Sequence, residues 1–242
     1  MIDTHCHIDL YKNPKEILDI CENKGIKVIS MTNLPSHFEM GIPFFQSKKY
    51  VRMALGMHPL LATLHKNEFS KFELYLSNTS YIGEIGLDFS EEGISTKIIQ
   101  LQSFERILNL ISNKKKILSI HSRKAEKEVL ELLLKYKIEN AIFHWYSGPN
   151  KLIKDIVNAG YYFSINPIMT ISKNGQSIIS QIPLNKILIE SDGPFVEFKN
   201  KIVNPWDANI VIDYFAKTQG VEKKVVEKQI LDNFKNLIKT IK

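Results

Sequence analysis

The sequence predicts an α/β fold, a (β/α)8 TIM-type barrel, in a single domain over residues 1–242. Three observations predict it. Short apolar runs rich in β-branched residues alternate with longer amphipathic stretches along the whole chain, the pattern of βα units around a parallel sheet. Eight such runs can be read in 242 residues, an ordinary length for one such barrel. Histidines and carboxylates fall at the ends of those runs, where a barrel of this kind gathers its active site.

The first run, Ile2-Asp3-Thr4-His5-Cys6, ends in His5-x-His7. Residues i and i+2 of a strand point to one side, so both imidazoles can reach one point beyond the strand's end. Pro14 opens a helix to about Lys24, and Gly25 stops it. A buried strand spans 27–31, and 35–47 reads as loop plus a short helix. The third strand covers 50–56 and runs into Met57-His58-Pro59. A helix over 66–76 precedes the fourth strand, 80–85, which leads into Gly86-Leu87-Asp88. The spacing then predicts a helix over 96–112, a strand over 116–120 ending at His121, and a helix over 124–136. A strand over 140–143 follows, ending at His144, with a helix over 150–159 stopped by Gly160. The seventh strand is 161–165 and the eighth 187–190, ending at Ser191-Asp192. Residues 183–185 and 199–205 read as connecting loops, and helices over 207–218 and 222–239 close the chain.

A hydrophobic share of 44% against 24% charged places the chain among soluble globular proteins with a core of useful size. No basic and apolar leader opens it, and no run of about 18 apolar residues occurs, so no membrane association is expected. The two cysteines, Cys6 and Cys21, form no CxxC, which fits a reducing, cytoplasmic compartment. Cys6 alternates to the face opposite the two histidines and reads as a small core hydrophobe. The net charge of +6 suits an anionic polymer. With only three arginines (Arg52, Arg106, Arg123), it equally fits a generally lysine-rich composition.

Five of the seven histidines (His5, His7, His58, His121, His144) sit at predicted strand ends, together with Glu84 and Asp192. A lone His-x-His would mean little. Seven imidazole and carboxylate side chains converging on one barrel mouth can hold two divalent ions that share a carboxylate, with Glu84 as the bridge. Two such ions, roughly 3.5–4 Å apart, activate water and clamp the attacking and leaving oxygens of a phosphodiester. Mixed nitrogen and oxygen ligation suits Mg, Mn or Zn and does not choose among them.

Six motifs carry a resemblance: Asp3-Thr4-His5-Cys6-His7, Ala54-Leu55-Gly56-Met57-His58-Pro59, Gly83-Glu84-Ile85-Gly86-Leu87-Asp88, His121-Ser122-Arg123-Lys124-Ala125, His144-Trp145-Tyr146-Ser147-Gly148 and Glu190-Ser191-Asp192-Gly193-Pro194. In this order they resemble the TatD-type metal-dependent deoxyribonucleases, a branch of the amidohydrolase-like barrels. The resemblance runs from residue 1 to about 195, with a weaker echo around Asn233. It implies a first metal held by His5, His7, Glu84 and Asp192, and a second by Glu84, His121 and His144. It also implies Asp192 and Glu84 as the catalytic residues, Asp192 orienting or deprotonating the attacking water. The implied substrate is DNA, with RNA as an alternative. Where hydrolytic amidohydrolases often carry a carbamylated lysine this chain has Glu84, which favours the nuclease branch.

His58, Arg123 and Trp145 are the candidate substrate contacts: His58 and Arg123 toward phosphate, Trp145 as a stacking surface for a base. Each has a plainer reading, as a buried hydrogen-bonded histidine, a surface ion pair and rim packing. Tyr146 shares the reading of Trp145. Asp88 reads as a loop cap or a partner behind a metal ligand, and His37 and His65 as exposed. The chain departs from the family at Leu60, where a second histidine is often found. It also departs at Trp145-Tyr146, where Cys-Phe is usual, and in the segment between Asp192 and Asn204-Pro205. These departures touch the substrate rim. The short length and Asp9-Leu10-Tyr11 also resemble QatD, the TatD-like subunit of the Qat anti-phage system, which implies partner proteins of a Qat-type defence complex. Two other functions fit the same barrel: hydrolysis of a small ester, lactone or amide, and binding of nucleic acid or a partner protein without catalysis.

Overall fold

The structure, a computed structural model, describes residues 1–241; the last residue of the expected 1–242 span, Lys242, lies outside the described residues. β1 (Ile2–Cys6) is buried along its whole length, as a strand covered on both faces must be. It pairs in parallel with β2 (Lys27–Ser30), and β2 with β3 (Val51–Met53). A second parallel sheet runs in sequence order through β4 (Tyr81–Gly86), β5 (Ile117–His121), β6 (Ala141–His144), β7 (Tyr162–Ile165) and β8 (Ile187–Ile189). Two seams close the ring. A parallel bridge joins Leu55 to Ile82, with Leu55 N donating to Tyr81 O at 3.0 Å. On the other side Asp192 N donates to His5 O at 2.9 Å, and Thr4 Oγ1 to Ile189 O at 3.0 Å. The result is the expected (β/α)8 architecture, with all eight C-terminal strand ends at one mouth.

The helices cover this ring: α1 (Pro14–Lys24), α2 (Pro35–Phe45), α3 (His65–Tyr75), α4 (Lys97–Ile111), α5 (Glu126–Lys135), α6 (Ile153–Asn158), α7 (Lys173–Ile179), and, after a small antiparallel hairpin of β9 (Glu197–Phe198) and β10 (Lys201–Ile202), α8 (Asn209–Gln219) and α9 (Lys223–Lys239). α1 ends where Gly25 takes the left-handed conformation, φ 64°. α9 buries Val226, Ile230, Phe234 and Leu237 at helical spacing. Its Asn233 donates from Nδ2 to Leu184 O at 2.8 Å and Ile187 O at 2.7 Å, tying the last helix to the foot of β8.

Three elements differ from the sequence expectation. α2 is a full helix of 11 residues, not loop plus a short helix. Pro43 inside it removes one backbone hydrogen bond and makes the pattern read as broken, while buried Phe38 holds the helix to the core. α7 is unannounced in the sequence because it is short and contains Gly175; Ser172 Oγ accepts from Gly175 N at 3.1 Å to start it, and Ile178 and Ile179 anchor it. The expected loop over 199–205 contains β10 of the hairpin. His65, expected to be exposed, is buried at 2% exposure, its Nε2 lying 3.0 Å from His58 O.

Candidate metal centre

Strand ends set the site. β1 delivers His5 and, one residue past its end, His7; β4 delivers Glu84, β5 His121, β6 His144, and the turn after β8 delivers Asp192. The structure brings all six together. Glu84 stands between two sets of imidazoles, one to each oxygen. Its Oε2 lies 3.2 Å from His7 Nε2 and 3.5 Å from His5 Nε2. Its Oε1 lies 2.6 Å from His121 Nδ1, 3.1 Å from His144 Nε2 and 3.4 Å from His58 Nε2. Asp192 Oδ1 lies 3.5 Å from His5 Nε2 and 3.9 Å from His7 Nε2. Three triads have ligand atoms within 4.8 Å of one another: His5–His144–Asp192, His5–His7–Glu84 and His58–Glu84–His121.

Most of these imidazoles are turned inward by a partner at the opposite nitrogen. His5 Nδ1 lies 2.7 Å from Ser119 Oγ, His121 Nε2 lies 2.8 Å from Asp88 Oδ2, and His144 Nδ1 lies 3.4 Å from Glu190 Oε1. A carboxylate at the opposite nitrogen orients the ring and raises its basicity, so that the other nitrogen of His121 and of His144 is aimed at Glu84. Glu190 is itself held, accepting from Asn166 Nδ2 at 3.2 Å, Trp145 N at 3.1 Å and Ser164 Oγ. Asp3 sits behind the seam, accepting from Ser191 N at 3.0 Å, Ser191 Oγ at 2.5 Å and His5 N at 3.1 Å. Ser119, Glu190 and Asp3 are parts of the centre that sequence reading did not assign. Glu190 carried a signal, a carboxylate two residues before Asp192, but nothing in the sequence says which histidine it faces.

His58 differs from the others. Its Nδ1 accepts from Leu60 N at 3.2 Å, so in the neutral ring the proton sits on Nε2, the nitrogen aimed at Glu84. That makes His58 a hydrogen-bond donor into the site rather than a lone pair. Arg123 lies on the rim, its Nη1 donating to Glu92 Oε2 at 3.0 Å, and half-exposed. Trp145 is 37% exposed with φ 36°, whereas Tyr146 is 1% exposed and donates from its hydroxyl to Pro149 O at 2.8 Å. Tyr146 is therefore core and offers no surface to a base. Phe195, which sequence reading did not single out, is 57% exposed, and its ring makes a T-shaped contact with the His7 ring, 5.1 Å between centroids.

The electrostatics of the site favour a cation. Burial would raise the Glu84 carboxyl, but the imidazoles of His58, His144 and His121 outweigh it and hold the group well below the usual carboxylate range. Burial pushes Asp192 up to about 7, against the lowering pull of His144 and His7. Burial, helped by His144, keeps His5 well below the usual imidazole range and so unprotonated. Burial would lower His144 too, yet Glu84 and Glu190 raise it well above that range; Asp88 and Glu84 do the same for His121 in smaller measure. Asp88 would be raised by burial and is instead drawn down to about 2 by hydrogen bonds from His121 and Ser90. His5 Nε2 and His7 Nε2 point at each other across 3.2 Å, and His7 Nδ1 is buried with no hydrogen-bond partner. Two imidazole nitrogens that close, beside the buried carboxylates of Glu84 and Asp192, are a mixed nitrogen and oxygen donor set that fits a divalent metal.

The chain matches the family model described as TatD related DNase over residues 2–239. It is 28% identical to the human protein named Deoxyribonuclease TATDN3, over 94% of this chain and 90% of that protein. It is 26% identical to an uncharacterized metal-dependent hydrolase of Methanocaldococcus jannaschii, over 96% of this chain and 94% of that one. Among solved structures, YjjV, a TatD homologue from Escherichia coli K12, superposes with a TM-score of 0.86 at 21% identity, covering 98% of this chain and 97% of that one. A hydrolase TatD family protein from Entamoeba histolytica gives 0.79 at 17% identity, covering 98% and 97%. With a family match over nearly its whole length and the same barrel in those neighbours, this chain belongs to the TatD related DNase family.

Proposed function

We propose that residues 1–242 form one hydrolase domain that cleaves phosphodiester bonds in DNA with the help of two divalent ions, Mg, Mn or Zn. The observation that carries this reading is the position of Glu84, with one oxygen facing His5 and His7 and the other facing His121 and His144. His5, His7, Glu84 and Asp192 would hold the first ion, and Glu84, His121 and His144 the second. Bound there, the ions supply a water activated at neutral pH and charge to offset that of the phosphate. Asp192 orients that water and accepts its proton. His58 donates from Nε2 to a phosphate oxygen, its tautomer fixed by Leu60 N. Arg123 can leave its exposed partner Glu92 for a phosphate, and Trp145 lies at the mouth where a base can meet it. Asp88, Ser119 and Glu190 keep the ligand rings aimed. RNA is the alternative polymer.

The net charge of +6 and the membership of a DNase family support DNA as the polymer. The resemblance in length and in Asp9-Leu10-Tyr11 supports a Qat-type defence complex in the cytoplasm as the setting, testable by co-purification with the products of neighbouring genes. The activity is tested by incubating the protein and its Glu84→Gln variant with end-labelled single- and double-stranded DNA and RNA across a metal series, and sizing the products. Metal-dependent shortening of DNA by the parent alone is expected. Turnover of small esters with oligonucleotides untouched would reject the nuclease reading.

A further inference from the structure

Three large aromatic side chains stand exposed among the described residues: Phe44, Trp145 and Phe195. Two of them follow candidate metal ligands within three positions, Trp145 after His144 and Phe195 after Asp192. A single exposed phenylalanine needs no explanation, but Phe195 is not loosely placed. Its own N–H and that of Val196 both donate to Asp192 O, at 3.0 and 3.2 Å. Gly193 O accepts from His7 N at 2.8 Å, and Val203 N donates to Val196 O at 2.9 Å. Tyr11 reaches across to donate from its hydroxyl to Val203 O at 2.6 Å. Backbone and Tyr11 close so tightly here that a Cβ on Gly193 would lie 1.8 Å from the Tyr11 hydroxyl. The chain thus pins a loop whose apolar tip faces solvent, with the Phe195 ring against the His7 ring at 5.1 Å. His7 in turn lies 3.2 Å from Glu84.

Resting on the nuclease reading above, we propose that Phe195 is a base-stacking residue: it holds the unstacked base of the nucleotide whose phosphate sits at Glu84. One imidazole, that of His7, lies between the Phe195 ring and Glu84, where the phosphate would sit, much as one sugar separates a base from its phosphate. A ring face can take a base only if that base is free of its neighbours in a helix. The substrate class this selects is single-stranded DNA or an unpaired strand end. Phe195 acts as a positioning residue, since no polar atom on it can take part in hydrolysis.

The test compares the metal-loaded protein with its Phe195→Ala and Phe195→Trp variants on single-stranded oligonucleotides that carry either normal bases or abasic residues. Binding is followed in parallel by quenching of a fluorescent aminopurine base in a short oligonucleotide. Loss of one stacked base predicts that Phe195→Ala lowers kcat/KM on the normal strand by about 5- to 150-fold, mostly through KM. The preference for normal over abasic strands should shrink by the same factor, quenching should disappear, and Phe195→Trp should restore both. An equal loss on normal and abasic strands, or unchanged preference and quenching in Phe195→Ala, would overturn the proposal while leaving the nuclease reading in place. Quenching that depends on Phe195 in a parent that cuts no nucleic acid would do the reverse.

Discussion

Replacing Glu84 with Gln keeps the shape of the side chain and removes one charge and one acceptor oxygen from the middle of five imidazole contacts, all 2.6 to 3.5 Å long. If Glu84 bridges two ions, both sites weaken at once. An ion present at a hundred times its Kd stabilises a folded protein by about 2.7 kcal/mol. In a chain of this size that raises Tm by about 5–11 °C per ion, about twice that for two. The parent should therefore show a large Tm increase on adding Mn, and Glu84→Gln should lose most of that increase, from a metal-free Tm lowered by the loss of the charged partner of His121 and His144. Turnover should fall by at least about a thousand-fold, ~4 kcal/mol of transition-state stabilisation. Differential scanning fluorimetry across a metal titration, run beside oligonucleotide cleavage, measures both. A variant that keeps the metal-induced Tm shift and cuts DNA would refute the bridging role.

Other outcomes follow from individual contacts. Asp192 holds its proton up to about pH 7 in the metal-free protein, and a ligand must give that proton up. Metal binding should therefore release protons, one from Asp192 below about pH 7 and others from His121 and His144, which Glu84, Asp88 and Glu190 hold protonated in the metal-free protein, measured in a weakly buffered titration; Asp192→Asn should reduce the release near pH 6 without abolishing it. Asp88→Ala takes the hydrogen-bond partner from His121 Nε2 and should weaken metal binding by about 10- to 100-fold with the fold intact, read by competition with a chelator. Asn233→Ala leaves Leu184 O and Ile187 O without their buried donor and should cost about 1–3 kcal/mol of stability, a Tm drop with no change in metal affinity.

The barrel is legible in the sequence because parallel strands, buried on both faces, are continuous apolar runs, and because Gly25 and Pro14 mark where α1 stops and starts. The gathering of His5, His7, Glu84, His121, His144 and Asp192 is legible for a geometric reason. A strand's period of two fixes the side to which His5 and His7 point, and closure of the ring fixes the rest. What lies one shell out is not. Asp88-x-Ser90 reads equally as a turn, and only the packing of β5 beside β4 shows that its carboxylate meets His121. Trp145 and Tyr146 are neighbours of the same chemical kind; a left-handed residue after β6 turns one outward and the other into the core, and no pattern of residue types announces that turn. α2 is obscured by Pro43, whose local cost is outweighed by the burial of Phe38. Phe195 is obscured because exposure depends on which neighbours fail to cover a ring, a property of the assembled mouth rather than of spacing.

Crystals grown with Mn and measured at its absorption edge offer the most direct view of the centre. Two anomalous peaks are predicted, roughly 3.5–4 Å apart, one beside each oxygen of Glu84, the first among His5, His7 and Asp192 and the second against His121 and His144. A single peak that leaves Glu84 uncoordinated, or no peak among these side chains at saturating metal, would contradict a shared-carboxylate pair and the hydrolysis built on it.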